Sequence, residues 1–383
     1  MSATETAPYS LPSEYADFRD MVRQLAVERI APRAAEIDVT DEYPRDIREL
    51  LGEQGILGLA IPQEYGGTHE STLMGQMAVE ELAKASAVCA LIVMIQELGT
   101  LPITLFGSDE LKARFLPKCA TGEWTPAFGL SESDAGSDVI AMRTRAVQDG
   151  DDWVINGSKA WISNASIADF YIVFAVTDVE QRRVTAFVVP ADSPGLSVPK
   201  HEDKLGIHGL PTGTPVFEDV RVPAANVIGE VGRGMRVALG TLERTRLGAA
   251  AQALGIAQGA TDFALQYAKE RVAYGKPIID LQGIQFKLAD MQTQTAAARE
   301  LLYTACAKID RGDADKAMYG SMAKLFCSDT AMAVTVEAIQ VLGGYGYTKE
   351  YPVERMMRDA KITQIYEGTN EVQRVVIAKH MAA

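Results

Sequence analysis

The placement of proline constrains this chain more than any other feature. Residues 1–124 hold seven prolines and residues 125–230 hold seven more, but residues 231–383 hold only Pro277 and Pro352. Proline removes a backbone donor and clashes with the preceding helical turn, whereas alanine is the best helix former. The Ala-rich and Leu-rich last third is therefore expected to be long helices, with Arg236 to Tyr267 nearly unbroken. Beyond the break at Gly275-Lys276-Pro277, Ile284, Leu288 and Met291 return at i, i+4 and i+7. The first third also reads as helix. Phe18, Val22, Leu25, Ala26 and Ile30 follow Pro12-Ser13-Glu14-Tyr15 near the helical period, and Pro44-Arg45-Asp46 introduces Ile47, Leu50 and Leu51. Leu73 to Glu97 reads as a longer helical stretch, and its uncharged middle, Ala85 to Gln96, as a core helix.

The middle third changes period. Trp153-Val154-Ile155, then Asn156-Gly157, then Ser158 to Ile162 read as strand, tight turn, strand. Tyr171 to Val176, Val184 to Val189, Leu196 to Pro199 and Thr214 to Val222 are further β-rich runs, the last with a bend at Glu218-Asp219. Short strands so spaced predict a small β-barrel or sandwich. The order α, β, α with no low-complexity linker predicts an α+β protein packed as one unit.

Composition excludes several functions. The net charge, 37 − 51 = −14, argues against a sequence-independent nucleic-acid binder, which needs a basic patch. The longest uncharged run, Leu247 to Thr261, contains two glutamines and is too short to span a bilayer. The first basic residue is Arg19 and no apolar segment follows Met1, so no signal peptide is expected. Cys89, Cys119, Cys306 and Cys327 form no CxxC pair and read as reduced, packed thiols of a cytosolic protein. The four histidines lack metal-ligand spacing, so no metal is expected.

Five segments suit a polar, conjugated ligand, and each has a plainer reading. Ala127 to Asp138 combines glycine, hydroxyl and acidic residues; such a loop can wrap a ligand with its backbone or simply lie on the surface. Trp161-Ile162-Ser163-Asn164-Ala165 offers a ring and a hydroxyl to a flat conjugated group, or a core Trp at a strand end. Arg271 to Pro277, with Gln282, suits a pyrophosphate, or offsets the dipole at a helix C-terminus. Gln340 to Tyr347 carries three glycines where a helix cap needs one. Ile365 to Asn370 sets Glu367 among apolar residues; a carboxyl there has a raised pKa and can act as a base, unless it is a solvated loop Glu. No GxGxxG, Walker A or GxSxG motif occurs, so a redox cofactor would not be held by the common dinucleotide fingerprint.

Taken in order, Phe128–Asp138, Trp161–Ala165, Lys204-Leu205-Gly206-Ile207, Val216–Pro223, Arg271–Gln282, Gln340–Gly346 and Tyr366–Arg374 resemble the acyl-CoA dehydrogenase family, nearest its short-chain and branched-chain members. The resemblance implies an N-terminal helical domain (1–124), a middle β-barrel or sandwich domain (125–232) and a C-terminal four-helix bundle (233–383). It implies FAD, an acyl-CoA substrate, electron-transfer flavoprotein as acceptor, and a homotetramer built as a dimer of dimers. Phe128, Leu130, Ser131, Gly136 and Ser137 resemble the segment lining the flavin and its pyrophosphate. Trp161, Ile162 and Ser163 resemble the residues beside the flavin ring. Arg271, Tyr274, Gln282, Gln340, Val341, Gly343 and Gly344 resemble the adenine-side contacts made across a subunit interface. Thr369 and Glu371 match positions near the ADP moiety. Ser137, Arg246 and Gly368 match the acyl-CoA side. The family places its base at one of two positions; the second falls on Thr245, which cannot be a base, so the resemblance assigns the base to Glu367.

The activity so implied is removal of an α-proton by Glu367 with hydride transfer to flavin N5, giving a trans-2-enoyl-CoA. Alternatives within the resemblance are a medium-chain dehydrogenase, a flavin oxidase or monooxygenase of the same fold, or a non-catalytic acyl-CoA-binding subunit. The helix from Leu91 to Leu101 is expected to line the acyl pocket through Ile92, Met94, Ile95 and Leu98, which favours short or branched chains. A bacterial cytoplasm is the expected location, and no membrane or nucleic acid is an expected partner. The chain departs from the family in having Ser133-Asp134 after Glu132 in place of Pro-Gly, His208 where Arg is usual, Leu210-Pro211-Thr212-Gly213 for a more hydroxyl-rich stretch, and Tyr274 for Phe.

Overall fold

The computed structural model describes residues 11–382. Six helices come first: α1 (Ser13–Leu25), α2 (Ala34–Thr40), α3 (Arg45–Glu53), α4 (Thr72–Ala85), α5 (Ala87–Phe106) and α6 (Asp109–Ala120). The helical period that runs from Phe18 to Ile30 does not stay in one α-helix. A π-turn at Ala26–Ile30 and a 3-10 turn at Ala31–Arg33, which holds Pro32, link α1 to α2. The stretch from Leu73 to Glu97 is likewise two helices. Ser86 lies in extended conformation between α4 and α5, and its hydroxyl accepts from the Cys89 N–H to start α5.

The strands are β1 (Pro126–Gly129), β2 (Arg145–Asp149), β3 (Asp152–Ser158), β4 (Ile162–Ser163), β5 (Phe170–Asp178), β6 (Arg183–Pro190), β7 (Leu196–Ser197), β8 (Thr212–Gly213), β9 (Val216–Pro223) and β10 (Val227–Ile228). The main sheet runs β10-β6-β5-β2-β3-β9-β7, with β1 also on β5, and β4 pairs separately with β8. Alternation along β5 explains why its run is apolar throughout. Phe170, Ile172 and Phe174 face a core shared with Leu111 and Phe115 of α6, while Tyr171, Val173 and Ala175 face one shared with Trp153 and Phe217.

The Asn156-Gly157 hairpin expected from sequence is not formed. Strand β3 continues through both residues, and the hairpin lies one step earlier, between β2 and β3 at Gly150-Asp151. Asn156-Gly157 instead forms an irregularity opposite β9. The Asn156 side chain donates to Asp219 at 3.0 Å and accepts from the Asp219 N–H at 2.9 Å. Gly157 lies at φ 142°, with the Thr144 Cα 2.6 Å from where a Cβ would sit. Glycine is needed there for close approach of strands, not for a turn. Asp219, placed at a bend from sequence, does lie at positive φ.

Five helices follow: α7 (Gly234–Glu270), α8 (Gln282–Arg311), α9 (Lys316–Leu342), α10 (Pro352–Ile362) and α11 (Asn370–Met381). Between α7 and α8 a two-residue hairpin pairs Val272-Ala273 with Lys276-Pro277, with Tyr274 and Gly275 both at positive φ. The N-terminal and C-terminal helices share one core, from Val22 through Leu254 to Ala360. The small residues of α7 permit this. A Cβ on Gly255 would lie 2.3 Å from the Glu80 carbonyl oxygen of α4. The apolar α5, long enough to cross a membrane by length and composition, is mostly buried in this core. The molecule is thus a three-part α+β fold, mostly helical, with a central sheet and a C-terminal helical bundle. All four cysteines are buried and unpaired.

Candidate active site

Two adjoining cavities lie where α5, α7, the loop after β1, the β4 segment and the turn before α11 converge. The inner one, of about 280 Å3, is lined by Leu91, Met94, Ile95 and Leu98 of α5, by Leu239, Leu242, Thr245 and Arg246 of α7, and by Phe128, Leu130, Ile162, Val372 and Val376. The outer one, of about 580 Å3, runs past Lys204 to Ile207, Leu210, Thr212, Arg358, Lys361 and Thr369. Leu91, Ser131, Gly136, Ser137, Trp161, Ser163, Tyr366, Glu367 and Gly368 line both. Residues expected from sequence at the flavin, the substrate and the base are therefore brought to one place from four separate segments. Ile92 is an exception: it is buried in the helical core and does not line the cavity, because its position on α5 faces the other way.

Glu367 sits in a tight turn between α10 and α11, at φ 57°, followed by Gly368 at φ 87°. A left-handed conformation at a residue with a Cβ costs roughly 1–2 kcal/mol, so the surroundings must hold it. Asn370 N–H donates to the Gln364 carbonyl at 3.0 Å, and the Thr369 hydroxyl caps α11 by accepting from Val372 N–H. The Tyr366 hydroxyl donates to Gln252 of α7. The Thr245 hydroxyl donates to the Glu367 carboxylate at 2.9 Å. Burial pushes the Glu367 carboxyl up to about 7, against the Thr245 hydrogen bond and the charges of Arg246 and Lys324, and with a contribution from Glu97. A carboxyl poised near neutrality at a cavity wall can take a proton from a weak carbon acid.

The loop after β1 is fixed by a buried ion pair. Lys159 Nζ donates to Glu132 Oε1 at 2.8 Å and to the Leu130 carbonyl at 3.2 Å. Glu132 also accepts from the N–H groups of Arg143 (2.6 Å) and Thr144 (3.0 Å). Burial opposes both charges and brings Lys159 down to about 8. For Glu132 the Lys159 charge and the hydrogen bonds outweigh burial, and its carboxyl stays below the ordinary value. The pair ties Leu130 and Ser131 to the segment that leads into Trp161, so both sides of the cavity mouth are set together.

Trp161, at φ 59°, is 55% exposed on the rim and is not a core residue. Beside it, the Asn164 side chain donates to the Pro126 carbonyl at 3.1 Å while its buried Oδ1 has no partner among the described residues. Gly136 faces open space, with no atom within 4 Å of a Cβ built there, so a ligand can approach its backbone closely. Exposed ring, accessible glycine backbone and the Ser131, Ser137 and Ser163 hydroxyls fit a flat cofactor with a polar tail.

Arg271, Val341, Gly343 and Gly344 share a third cavity of about 540 Å3 with Tyr267, Leu281 and Tyr345. The Arg271 guanidinium stacks 5.4 Å from the Tyr345 ring centre. Tyr274, Gln282, Gln340 and Glu371 are exposed and line none of these three cavities. His208 does not line the outer cavity; one of its ring nitrogens lies 3.0 Å from the Asp38 carbonyl and the other 2.9 Å from that of Lys204.

Sequence reasoning did not single out Gln373, Lys324 or Lys159, nor the role of Thr245. Each is polar and buried, with relative exposures of 0% for the first three and 4% for Thr245. For Thr245, Lys324 and Gln373, polar residues amid the apolar faces of α7, α9 and α11 were the available signal.

Three family descriptions match consecutive parts of the chain: the acyl-CoA dehydrogenase N-terminal domain over residues 12–123, its middle domain over 127–220 and its C-terminal domain over 232–382. A cyclohex-1-ene-1-carbonyl-CoA dehydrogenase of Geobacter metallireducens is 47% identical, over 94% of this chain and 96% of its own. Butyryl-CoA dehydrogenase of Megasphaera elsdenii has a structure similar at TM-score 0.95 and 42% identity, covering 98% of this chain and 100% of its own. A structure described as an electron transferring flavoprotein of Acidaminococcus fermentans is similar at TM-score 0.96 and 42% identity, covering 98% and 99%.

Proposed function

Since this chain belongs to the acyl-CoA dehydrogenase family, whose members are FAD-dependent oxidoreductases, we propose that it removes hydrogen across the α,β bond of an acyl-CoA thioester with Glu367 as the base. The observation that carries this reading is the Glu367 carboxyl, pushed to about 7 at a cavity wall that also bears Trp161, Ser163, Ser137 and Arg246. Bound FAD would supply the acceptor for the β-hydrogen, which leaves with the two electrons. Phe128, Leu130, Ser131, Gly136, Ser137 and Trp161 to Ser163 would hold its ring and pyrophosphate, with Thr369 and Glu371 nearer its ADP portion.

The residues of this chain do the rest. The α-proton of a thioester is only weakly acidic, and its removal leaves negative charge on the thioester oxygen. A backbone N–H such as that of Glu367, directed at that oxygen, stabilises the charge as it develops. Glu367 takes the α-proton on its carboxylate. The apolar wall of Leu91, Met94, Ile95 and Leu98 excludes water, which keeps the carboxyl basic enough for the task. A trans-2-enoyl-CoA is the product.

The inner cavity is small and its wall bulky, which favours short or branched acyl groups. The butyryl-CoA and cyclohexene-carbonyl-CoA enzymes among its relatives act on compact acyl groups by name, in keeping with that choice. We assign electron-transfer flavoprotein as the acceptor; the likeness to a structure described under that name supports it. A homotetramer is supported by the apolar residues left exposed around the third cavity, Val272, Tyr274, Phe286 and Tyr347. A partner copy covering them would place Gln282 and Gln340 beside the same ligand. The bacterial sources of the relatives support a bacterial cytoplasm.

Anaerobic titration of the purified holoenzyme with a panel of acyl-CoAs tests the reading. Bleaching of the flavin by four- and five-carbon thioesters, with little response to eight carbons, is the expected result. A flavin that no acyl-CoA bleaches would overturn it.

A further inference from the structure

Gln373 lies on the first turns of α11, fully buried, in reach of both the base and the cation beside it. Its Nε2 donates to the Gly368 carbonyl at 2.9 Å and to the Glu367 carbonyl at 3.2 Å. Its Oε1 accepts from Arg246 Nη1 at 3.2 Å. Both N–H donors of the amide are thus spent on the left-handed Glu367-Gly368 turn, and its oxygen accepts from Arg246. The fit is close: a Cβ on Gly368 would lie 2.7 Å from Gln373 Nε2. Arg246 is itself fixed from three sides, since its Nε donates to the Leu242 carbonyl at 2.8 Å and its Nη1 to the Ser321 hydroxyl at 2.6 Å.

We propose that Gln373 is a positioning residue for the reaction: it clamps the Glu367-Gly368 peptide in its strained conformation and keeps Arg246 from pairing with the Glu367 carboxylate. The inference rests on the reading of Glu367 as the base. Strained backbone persists only where neighbours over-determine it, and a side-chain amide is the group that can do so here. It has donors for two carbonyls and an acceptor for a guanidinium. Neither a carboxylate nor an ammonium has both. Without the clamp, the carbonyls of residues 367 and 368 lose a donor in a buried site, and Arg246 loses the Gln373 oxygen as an acceptor. The turn then relaxes and the Arg246 cation is free to approach the carboxylate.

The remaining charged or titratable groups around Glu367 are Glu97 on α5, Lys324 on α9 and the adjacent Tyr366. Lys324 is itself held by Asn370 Oδ1 at 2.8 Å, so Arg246 is the cation whose freedom changes. Relaxation therefore shifts the Glu367 carboxyl down towards the ordinary glutamate range, away from neutrality.

Two variants of the holoenzyme separate the halves of the clamp. Gln373→Met keeps the volume and removes both. Gln373→Glu keeps an acceptor for Arg246 but cannot donate to the two carbonyls. FAD content and unfolding temperature confirm that each variant is folded. The Glu367 carboxyl is titrated by pH-difference infrared spectroscopy, its band identified by loss in Glu367→Gln; this needs no substrate. Flavin reduction is followed with the acyl-CoA that best bleaches the wild type. The expected results are a lower titration midpoint in Gln373→Met and, in both variants, reduction slowed roughly 10- to 100-fold at saturating thioester, as a misplaced catalytic group gives, with KM little changed. A Gln373→Met titration midpoint equal to that of wild type overturns the proposal, and so does wild-type reduction by Gln373→Glu. If no acyl-CoA reduces the wild type, the assigned reaction fails, while the infrared midpoint still decides whether Gln373 sets the carboxyl.

Discussion

The Thr245 hydroxyl, on α7, donates to the Glu367 carboxylate, in the turn before α11, across 2.9 Å. The hydroxyl opposes what burial does: burial raises the carboxyl, the hydrogen bond lowers it, and the balance lies at about 7. A base too acidic could not take the proton, and one too basic would be protonated at neutral pH and idle.

Replacing Glu367 by Gln is expected to leave FAD bound, since no other cavity residue is changed, and to slow flavin reduction by about 10⁴-fold, the upper range for loss of a positioned base. Stopped-flow mixing with the best acyl-CoA under anaerobic conditions measures it. Turnover within tenfold of wild type would show that the proton goes elsewhere.

The pH dependence follows from the sign of the shift. Glu367 must be ionised to act, so kcat/KM should rise with pH below about 7 and level off above it. In Thr245→Val the hydrogen bond that stabilises the ionised form is gone, and the limb should move to higher pH. At pH 7 the variant should be slower by roughly tenfold, since a hydrogen bond to a charged group is worth about 1.5–3 kcal/mol. Recovery of the rate at pH 9 would separate this from a packing defect.

The helical thirds, the β middle and the order of the site segments were legible in the sequence because each depends on local pattern: proline placement, short β-rich runs such as Tyr171 to Val176, glycine clusters. What sequence did not disclose depends on partners far along the chain. Asn156-Gly157 has the residues of a tight turn, but Thr144, just before β2, and Asp219 on β9 make it a close-approach point in a continuous strand. Glu367 could be matched by its context, whereas the hydroxyl that tunes it and the amide that clamps it come from α7 and α11. Glu132 looked like a loop acid until Lys159 came into view beneath it.

That ion pair yields a stability prediction. Lys159→Met leaves the Glu132 carboxylate buried with no cation, which costs about 3–5 kcal/mol. Chemical denaturation should show the loss, and FAD should dissociate more readily because Leu130 and Ser131 lose their anchor. The double variant Lys159→Met, Glu132→Gln should recover part of it, since the unpaired charge is then absent. If the single and double variants are equally unstable, the cost comes from packing and not from charge.

Acyl length should respond to a contact between α5 and α7. Met94 lines the inner cavity, and its Cγ lies 3.2 Å from where a Cβ on Gly248 would sit. Gly248→Ala would therefore press Met94 toward the cavity, while Met94→Ala removes three heavy atoms from its wall. The two changes have opposite signs: the first should narrow activity to the shortest thioesters and the second should extend it to longer ones. One methylene in an apolar pocket is worth roughly 10- to 200-fold in kcat/KM, so the ratio of octanoyl-CoA to butyryl-CoA activity should rise at least about tenfold in Met94→Ala. That ratio, measured with the same electron acceptor for wild type and both variants, cancels differences in flavin content. If both variants move the ratio in the same direction, Met94 does not bound the acyl chain and the limit must lie at Leu98 or Leu239 instead.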